Sequence, residues 1–199
     1  TRLILDKMEG AADPLSVVAH IRQCIKTGND TEYVKEYSID PPKPWVRTLR
    51  GKDIGRYSTA TINLYLKYGS WLARNWMNRT FYERPKIAIR ETGSRITATL
   101  DTENRYFLSS LYSIYWRDEL DPRDLNYLLG LLNSSLATFI LHAVVLGLTE
   151  GAFTKARTNQ LGRLPIKRIN FSDPAEKALH NRVAGLVEKM LALTPKLRG

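Results

Sequence analysis

The sequence predicts an α+β fold: a central, mostly antiparallel, twisted sheet flanked by helices, with an accessory helix at the C-terminus. Three observations lead there. Short apolar or alternating segments crowd the middle of the chain at residues 61–66, 86–90, 96–100 and 106–115. Turn residues separate them, Gly93-Ser94 in one gap and the polar stretch 101–104 in another. Helix-start signals lie largely outside that block, at Asp13-Pro14, Asp121-Pro122 and Asp173-Pro174-Ala175-Glu176.

Taken in order, residues 15–24 place Leu15, Val18 and Ile21 at helical spacing, with Ile25 beyond, and predict a helix ending by Gly28. Residues 31–39 read as a short strand, after which Pro41-Pro42-Lys43-Pro44 forces a turn. The glycines of residues 49–57 suit a tight loop, residues 61–66 alternate as a strand, and residues 70–77 predict a short helix. The apolar run 125–148 carries Asn126, Asn133, Ser134, Ser135 and His142, too many polar groups for a membrane span, and reads as one buried core helix. Residues 147–163, rich in Gly, Thr, Asn, Gln and basic residues, form a surface loop before the last helix, which opens with a capping-box-like sequence. This divides the chain into a main unit, 1–170, and a helical extension, 171–199, packed on it.

Composition narrows the function classes. The 199 residues are 43% hydrophobic and 25% charged, as in ordinary folded domains, so neither wholesale disorder nor a membrane protein is indicated. Thirty Lys and Arg against twenty Asp and Glu give a net charge of +10, which favours polyanions and places nucleic acid first among partner classes. Cys24 is the sole cysteine, which excludes an internal disulfide and a cysteine-based zinc site and fits a cytoplasmic setting. His20, His142 and His180 lack ligand spacing and fall in predicted helices, where packing or solvation explains them. The opening Thr1-Arg-Leu-Ile-Leu-Asp resembles neither a signal peptide nor a transit sequence and reads as a piece cut from a longer chain.

No catalytic set assembles. Asp40-Pro41-Pro42-Lys43 invites comparison with the Asp/Asn-Pro-Pro-aromatic loop of amino-methyltransferases, but Lys43 stands where the base-stacking aromatic is needed, and no glycine-rich methyl-donor turn precedes it. A proline turn is the plainer reading. Glu83-Arg84-Pro85-Lys86 has the residue types of a metal nuclease without a second acidic strand position, so a surface ion pair accounts for it better.

Basic loops that mix Lys or Arg with Thr, Asn and Gln carry more information, because these groups hold phosphates and read base edges. Residues 26–30 offer Lys26, Thr27 and Asn29; residues 47–56 offer Arg50, Lys52 and Arg56; the turn 90–95 offers Arg90 and Arg95. The loop 154–160 adds Thr154, Lys155, Arg157, Asn159 and Gln160. Solvated loops look alike one at a time, and several together favour nucleic acid. Trp71, Trp76, Trp116, Phe81 and Tyr82 are assigned mainly to the core, while Tyr33 and Tyr57 lie nearer the candidate loops.

Five segments in order resemble one family. They are Ile25-Lys26-Thr27-Gly28-Asn29-Asp30, Arg50-Gly51-Lys52-Asp53-Ile54, residues 84–91 around Lys86-Ile87, residues 127–134 with Leu129-Gly130-Leu131-Leu132-Asn133-Ser134, and Leu161-Gly162-Arg163-Leu164-Pro165-Ile166. Together they resemble the C-terminal specificity, or target-recognition, domain of TaqI-like adenine DNA methyltransferases of type II and IIG restriction-modification systems in prokaryotes. Cys24 departs from the glycine often found before the first motif.

The resemblance implies no enzyme activity in this chain alone. It implies a parent that is a site-specific adenine methyltransferase, with a fused endonuclease left open, and a role in phage defence. An N-terminal domain of that parent would bind S-adenosylmethionine and methylate a flipped adenine, while this domain binds double-stranded DNA and selects the site. Arg50 and Lys52 are then expected on phosphates, the 154–160 loop on bases or phosphates, and Asn133 in a helix–helix hydrogen bond. Rival readings are a protein–protein or oligomerisation module with little DNA contact, and a single-strand or RNA binder, which would need exposed aromatic platforms.

Overall fold

A computed structural model describes residues 11–117, 125–146 and 155–197. The chain opens with a short strand, β1 (Ala12–Pro14), and a single helical turn, α1 (Leu15–Val18), before β2 (Ala19–Gln23). The helix expected over 15–24 therefore stops after one turn, and His20 lies in a strand. Tertiary pairing overrides the helical spacing here: residues 19–23 bond along a neighbouring strand in antiparallel register, from Ala19 opposite Trp116 to Gln23 opposite Tyr112.

That neighbour is β11 (Leu111–Trp116), in which all six residues are buried. On its other side lie β8 (Lys86–Arg90) and β9 (Ala98–Asp101), giving the order β2-β11-β8-β9 with every pairing antiparallel. Three of these strands answer to the expected central sheet, but the single strand expected over 106–115 is split, and residues 64–67 and 106–107 lie in a second four-stranded sheet. The second consists of β3 (Val34–Glu36), β4 (Trp45–Leu49), β7 (Leu64–Lys67) and β10 (Tyr106–Phe107), in the order β10-β4-β7-β3. A hairpin of β5 (Ile54–Gly55) and β6 (Ser58–Thr59), and a pairing of β1 with β12 (Pro165–Lys167), complete the strands described.

Helices cover the central sheet. α3 (Leu125–Leu132) and α4 (Ser135–Ile140) replace the single long helix expected over 125–148, and a π-helical turn, Leu141–Leu146, follows. The break falls at Asn133-Ser134: Ser134 caps α4 by accepting the Ala137 N–H at 3.0 Å. Asn133, 2% exposed, bonds both backbone groups of Ala98 at 2.9 and 3.0 Å, so it ties a helix to a strand and not to another helix. The Asp121-Pro122 start signal lies outside the described residues.

After a further turn, α5 (Thr158–Leu161), the chain ends in α6 (Pro174–Leu193), capped by Asp173, whose carboxylate accepts the Ala175 N–H at 2.8 Å. Glu176 does not close the capping box; it accepts the Asn170 N–H at 2.7 Å and pairs with Lys167 at 2.9 Å. α6 packs on α3 where Gly130 leaves room: a Cβ there would stand 2.9 Å from side-chain carbons of both Val183 and Val187.

Three further expectations are corrected. Residues 31–39 begin with the helical turn α2 (Asp30–Tyr33) before the strand β3. Residues 70–77 form no helix, because side chains bind this stretch elsewhere: Trp76 Nε1 donates to the Gln23 carbonyl at 2.7 Å, and Asn75 Nδ2 to that of Gly69 at 2.6 Å. Lys86 is not in a surface pair. It is fully buried, with Nζ 2.7 Å from Asp101 and 2.6 Å from the Tyr82 carbonyl, while burial lowers its pKa against the pull of Asp101.

Candidate nucleic-acid interface

The strand register gathers loops that are remote in sequence. β2 and β8 run in the same direction between antiparallel neighbours, so the residues after Gln23 and Arg90 leave the central sheet at one end, beside the start of β11. β9 begins at that end too, with Ala98 opposite Ile89, which brings in Arg95. The turn Gly51–Asp53 is fastened there by a bond from the Gly51 N–H to Ser110 Oγ at 2.8 Å, and residues 155–157 by a bond from the Ala156 N–H to the Glu91 carbonyl at 3.1 Å. Lys26, Lys52, Arg90, Arg95 and Lys155 thus share one rim.

Two adjoining clefts open on this rim around the β5–β6 hairpin. One, of about 400 Å³, is lined by Lys52, Ser58, Thr59, Thr61 and Arg90; the other, of about 450 Å³, by Arg56, Arg95, Thr97, Met190 and Thr194. Gly55 and Arg90 line both. Cations beside hydroxyls are a chemistry that holds phosphate oxygens. The cleft hydroxyls escaped the sequence reading, because nothing in Ser58-Thr59-Ala60-Thr61 distinguishes it from a solvated turn.

The cations divide by how they are held. Lys52 and Arg95 are exposed. Arg56 and Arg90 are half-buried and brace the hairpin: an Nη of Arg56 donates to the Asn133 carbonyl at 2.6 Å, an Nη of Arg90 donates to that of Ile54, and both Nε atoms are buried without a hydrogen-bond partner. Arg50 is clasped by Asp53, whose carboxylate accepts its Nε at 3.0 Å and its backbone N–H at 2.7 Å. Arg50 therefore shapes the turn that presents Lys52. Lys155 pairs with Glu91 at 2.7 Å, and Glu91 also accepts from Tyr112 at 2.9 Å.

In the 26–30 loop only Lys26 and Asn29 among the named residues are exposed. Thr27 is buried and donates to Asp30, while Asn29 caps α2 by accepting the Glu32 N–H at 3.3 Å. Gly28 makes the turn with a φ of +85°, a conformation costly for residues with a Cβ. Cys24 beneath this loop is buried and its thiol is pushed up to about 12 by burial, so it is not a thiolate nucleophile. In the 154–160 segment Arg157 and Asn159 are exposed, and Gln160 accepts the Arg157 N–H at 2.8 Å. Thr154 lies outside the described residues.

Residues 46–166, well over half of the chain, match the family model of the TaqI-like C-terminal specificity domain. The chain belongs to this family. The family is one of specificity domains, tied to target recognition in restriction-modification methyltransferases, and is not a catalytic one. No curated protein matches the chain.

The matched span of the TaqI-like domain holds four of the five motifs, and Ile25 to Asp30 lies before it. Each motif has a structural reason. Arg50-Gly51-Lys52-Asp53 is a capped 3₁₀ turn, Lys86–Arg90 is the strand β8, residues 127–134 hold Gly130 and Asn133 against α6 and β9, and Pro165-Ile166 belongs to β12. Among the described residues no helix is long and apolar enough to cross a membrane, and no group of His, Cys, Asp and Glu is placed to hold a metal.

Proposed function

We propose that this chain binds double-stranded DNA and selects the target site for an adenine methyltransferase domain elsewhere in its parent protein. The observation that carries the proposal is the convergence of Lys26, Lys52, Arg95 and Lys155 on one rim of a specificity-domain fold. Lys52 and Arg95 neutralise phosphates, with the threonines of the clefts beside them. Arg157 and Asn159 read base edges, since bidentate Arg–guanine or Asn–adenine pairs discriminate by about 1–3 kcal/mol. Arg50, Arg56, Thr27 and Gln160 act indirectly, by holding the loops. S-adenosylmethionine belongs to the methyltransferase domain of the parent, which works in a prokaryotic cytoplasm as part of phage defence.

Fluorescence anisotropy with duplex DNA at low and near-physiological salt tests this. Binding should weaken steeply with salt, and Lys52→Ala should weaken it for every sequence while lowering the salt slope by about one. Arg157→Ala should change site preference in the full parent. Salt-insensitive binding, or wild-type behaviour from both variants, would overturn the proposal.

A second reading has one observation in its favour. Leu179, Leu186, Met190 and Leu193 lie along one side of α6 and are 44–54% exposed. We infer that this stripe docks on the methyltransferase domain of the parent, which fixes the two parts around one DNA.

A further inference from the structure

The outer face of the second sheet carries a pattern that duplex recognition on the rim does not use. In the register of β3, β7 and β4, Lys35 and Arg47 both stand opposite Tyr65, and Trp45 stands opposite Lys67. Because side chains alternate along a strand, Val34, Leu66 and Val46 turn together into a core cluster and leave the rings and cations on the other face. Tyr37 follows Lys35 in the same alternation, while Tyr33, the last residue of α2, packs in part against that core cluster and meets Trp71 with its ring.

Trp71, from the turn after β7, is 46% exposed and stacks on Tyr33, with ring centroids 6.5 Å apart and planes at 27°. Tyr37 meets Trp45 edge-on at 5.1 Å. Lys35 lies over the Trp45 ring at 6.0 Å and Lys67 over Trp71 at 5.7 Å, so two cations are set beside ring faces. Asp40, an acid at this face, is already bound by Arg47 at 2.9 Å and by the Tyr65 hydroxyl.

Rings interleaved with Lys suit a chain of bases and phosphates. Base faces inside a duplex are covered by their neighbours, whereas an unpaired strand offers them for stacking. The face is also continuous with the rim: the Ala73 N–H donates to the Thr27 carbonyl at 3.3 Å, and Lys26 and Arg74 exchange backbone bonds at 3.0 Å. A strand leaving a duplex on the rim would reach Trp71 past Lys26.

We propose that this face is a second site, for single-stranded DNA, in which Trp71, Tyr33 and Trp45 stack bases while Lys35 and Lys67 take phosphates. It stands independently of duplex binding at the rim.

Anisotropy of the whole chain with labelled oligo(dT) and with a blunt duplex tests it. Trp71→Ala should weaken oligo(dT) binding roughly five- to tenfold, as expected for loss of one stacked base, while Trp71→Phe retains most of it and duplex affinity is unchanged. Lys52→Ala should leave oligo(dT) binding unchanged. A Lys35→Glu, Lys67→Glu double variant keeps the rings and should lose oligo(dT) even if Trp71→Ala folds poorly. On the unaltered protein, a bromouracil-substituted strand should photocrosslink to Trp71, Tyr33 or Trp45.

Crosslinks confined to other residues, unaltered oligo(dT) binding by the double variant, or equal loss of both ligands in Lys52→Ala would overturn the proposal. Tighter binding of oligo(U) than of oligo(dT) would overturn DNA as the occupant.

Discussion

The two four-stranded sheets put the same residue types to different use. In the central sheet Lys86 is sealed against Asp101, and at its end Arg56 and Arg90 brace backbone carbonyls, so these cations hold structure together. On the second sheet Lys35 and Lys67 lie against the exposed or half-exposed rings of Trp45 and Trp71. The difference follows from burial. A buried charge must be paired or hydrogen-bonded or cost several kcal/mol, whereas a cation on an open face keeps its charge for a ligand. Counting basic residues therefore does not separate cations that hold the structure from cations that stay exposed.

If that contrast is sound, variants should separate into folding defects and binding defects. The largest expected effect is at the buried pair. Asp101→Ala strands the Lys86 ammonium and removes acceptors from Arg105, and should lower unfolding free energy in urea by about 3–5 kcal/mol. A Lys86→Met, Asp101→Leu double variant should recover part of this; full destabilisation by both together would mean that packing, not charge, sets the cost.

Asn133→Ala should cost about 1–3 kcal/mol, because it leaves the Ala98 N–H and carbonyl without their side-chain partner. Gly130→Val should cost a similar amount, about 1–3 kcal/mol, through contact with Val183 and Val187, and should loosen α6 first in hydrogen exchange. If α6 keeps its protection while the rest loosens, the helix is held by contacts other than those at Gly130.

Binding variants come next. Lys52→Ala should leave the urea midpoint unchanged and weaken duplex binding, whereas Arg50→Ala should lower both, since Arg50 acts through Asp53 and the turn. Equal behaviour of the two variants would erase the distinction between presented and structural cations.

The smallest effect concerns pH. Burial, followed by the charges of Arg117, Arg22 and Arg84, lowers the pKa of His20 below its ordinary 6.5. The folded state thus binds fewer protons than the unfolded state in that window, so stability is complete above pH 6.5 and declines as pH falls through it toward the folded value. His20→Gln should flatten the melting temperature across this range. An unchanged slope would assign it to another group.

Part of the central sheet was legible because its strands are self-contained signals, as in the apolar Lys86–Arg90, whereas the run 106–115 gave no sign that it divides between two sheets at residues 108–110. Residues 15–24 misled because Leu15, Val18 and Ile21 satisfy helical spacing, while the partner that makes residues 19–23 a strand is nearly a hundred residues away. The turn at 70–77 hid for the same reason, since Trp76 bonds to the Gln23 carbonyl, 53 residues away.

The candidate loops were recognisable by residue type, but their roles were not. Arg50 and Lys52 look equivalent in sequence, and only the Asp53 carboxylate separates them. Trp71, assigned mainly to the core, is half exposed, and the alternation of Lys35 and Tyr37 acquires a face only when β7 and β4 align beside it.

β9 is the last strand of the central sheet, and its outward backbone groups are the kind that recruit a foreign strand. Asn133 reaches down from the helix layer and offers Ala98 one donor and one acceptor, as a neighbouring strand would. Beside it, Thr138 Oγ1 accepts the Ile96 N–H at 3.2 Å, and the Tyr57 N–H donates to the Ala98 carbonyl at 3.0 Å. Helix side chains and a turn thus stand in for a fifth strand. The sheet is closed to edge-to-edge aggregation without growing, and the closure sits at Ala98, the same end of β9 from which the chain leads to Arg95.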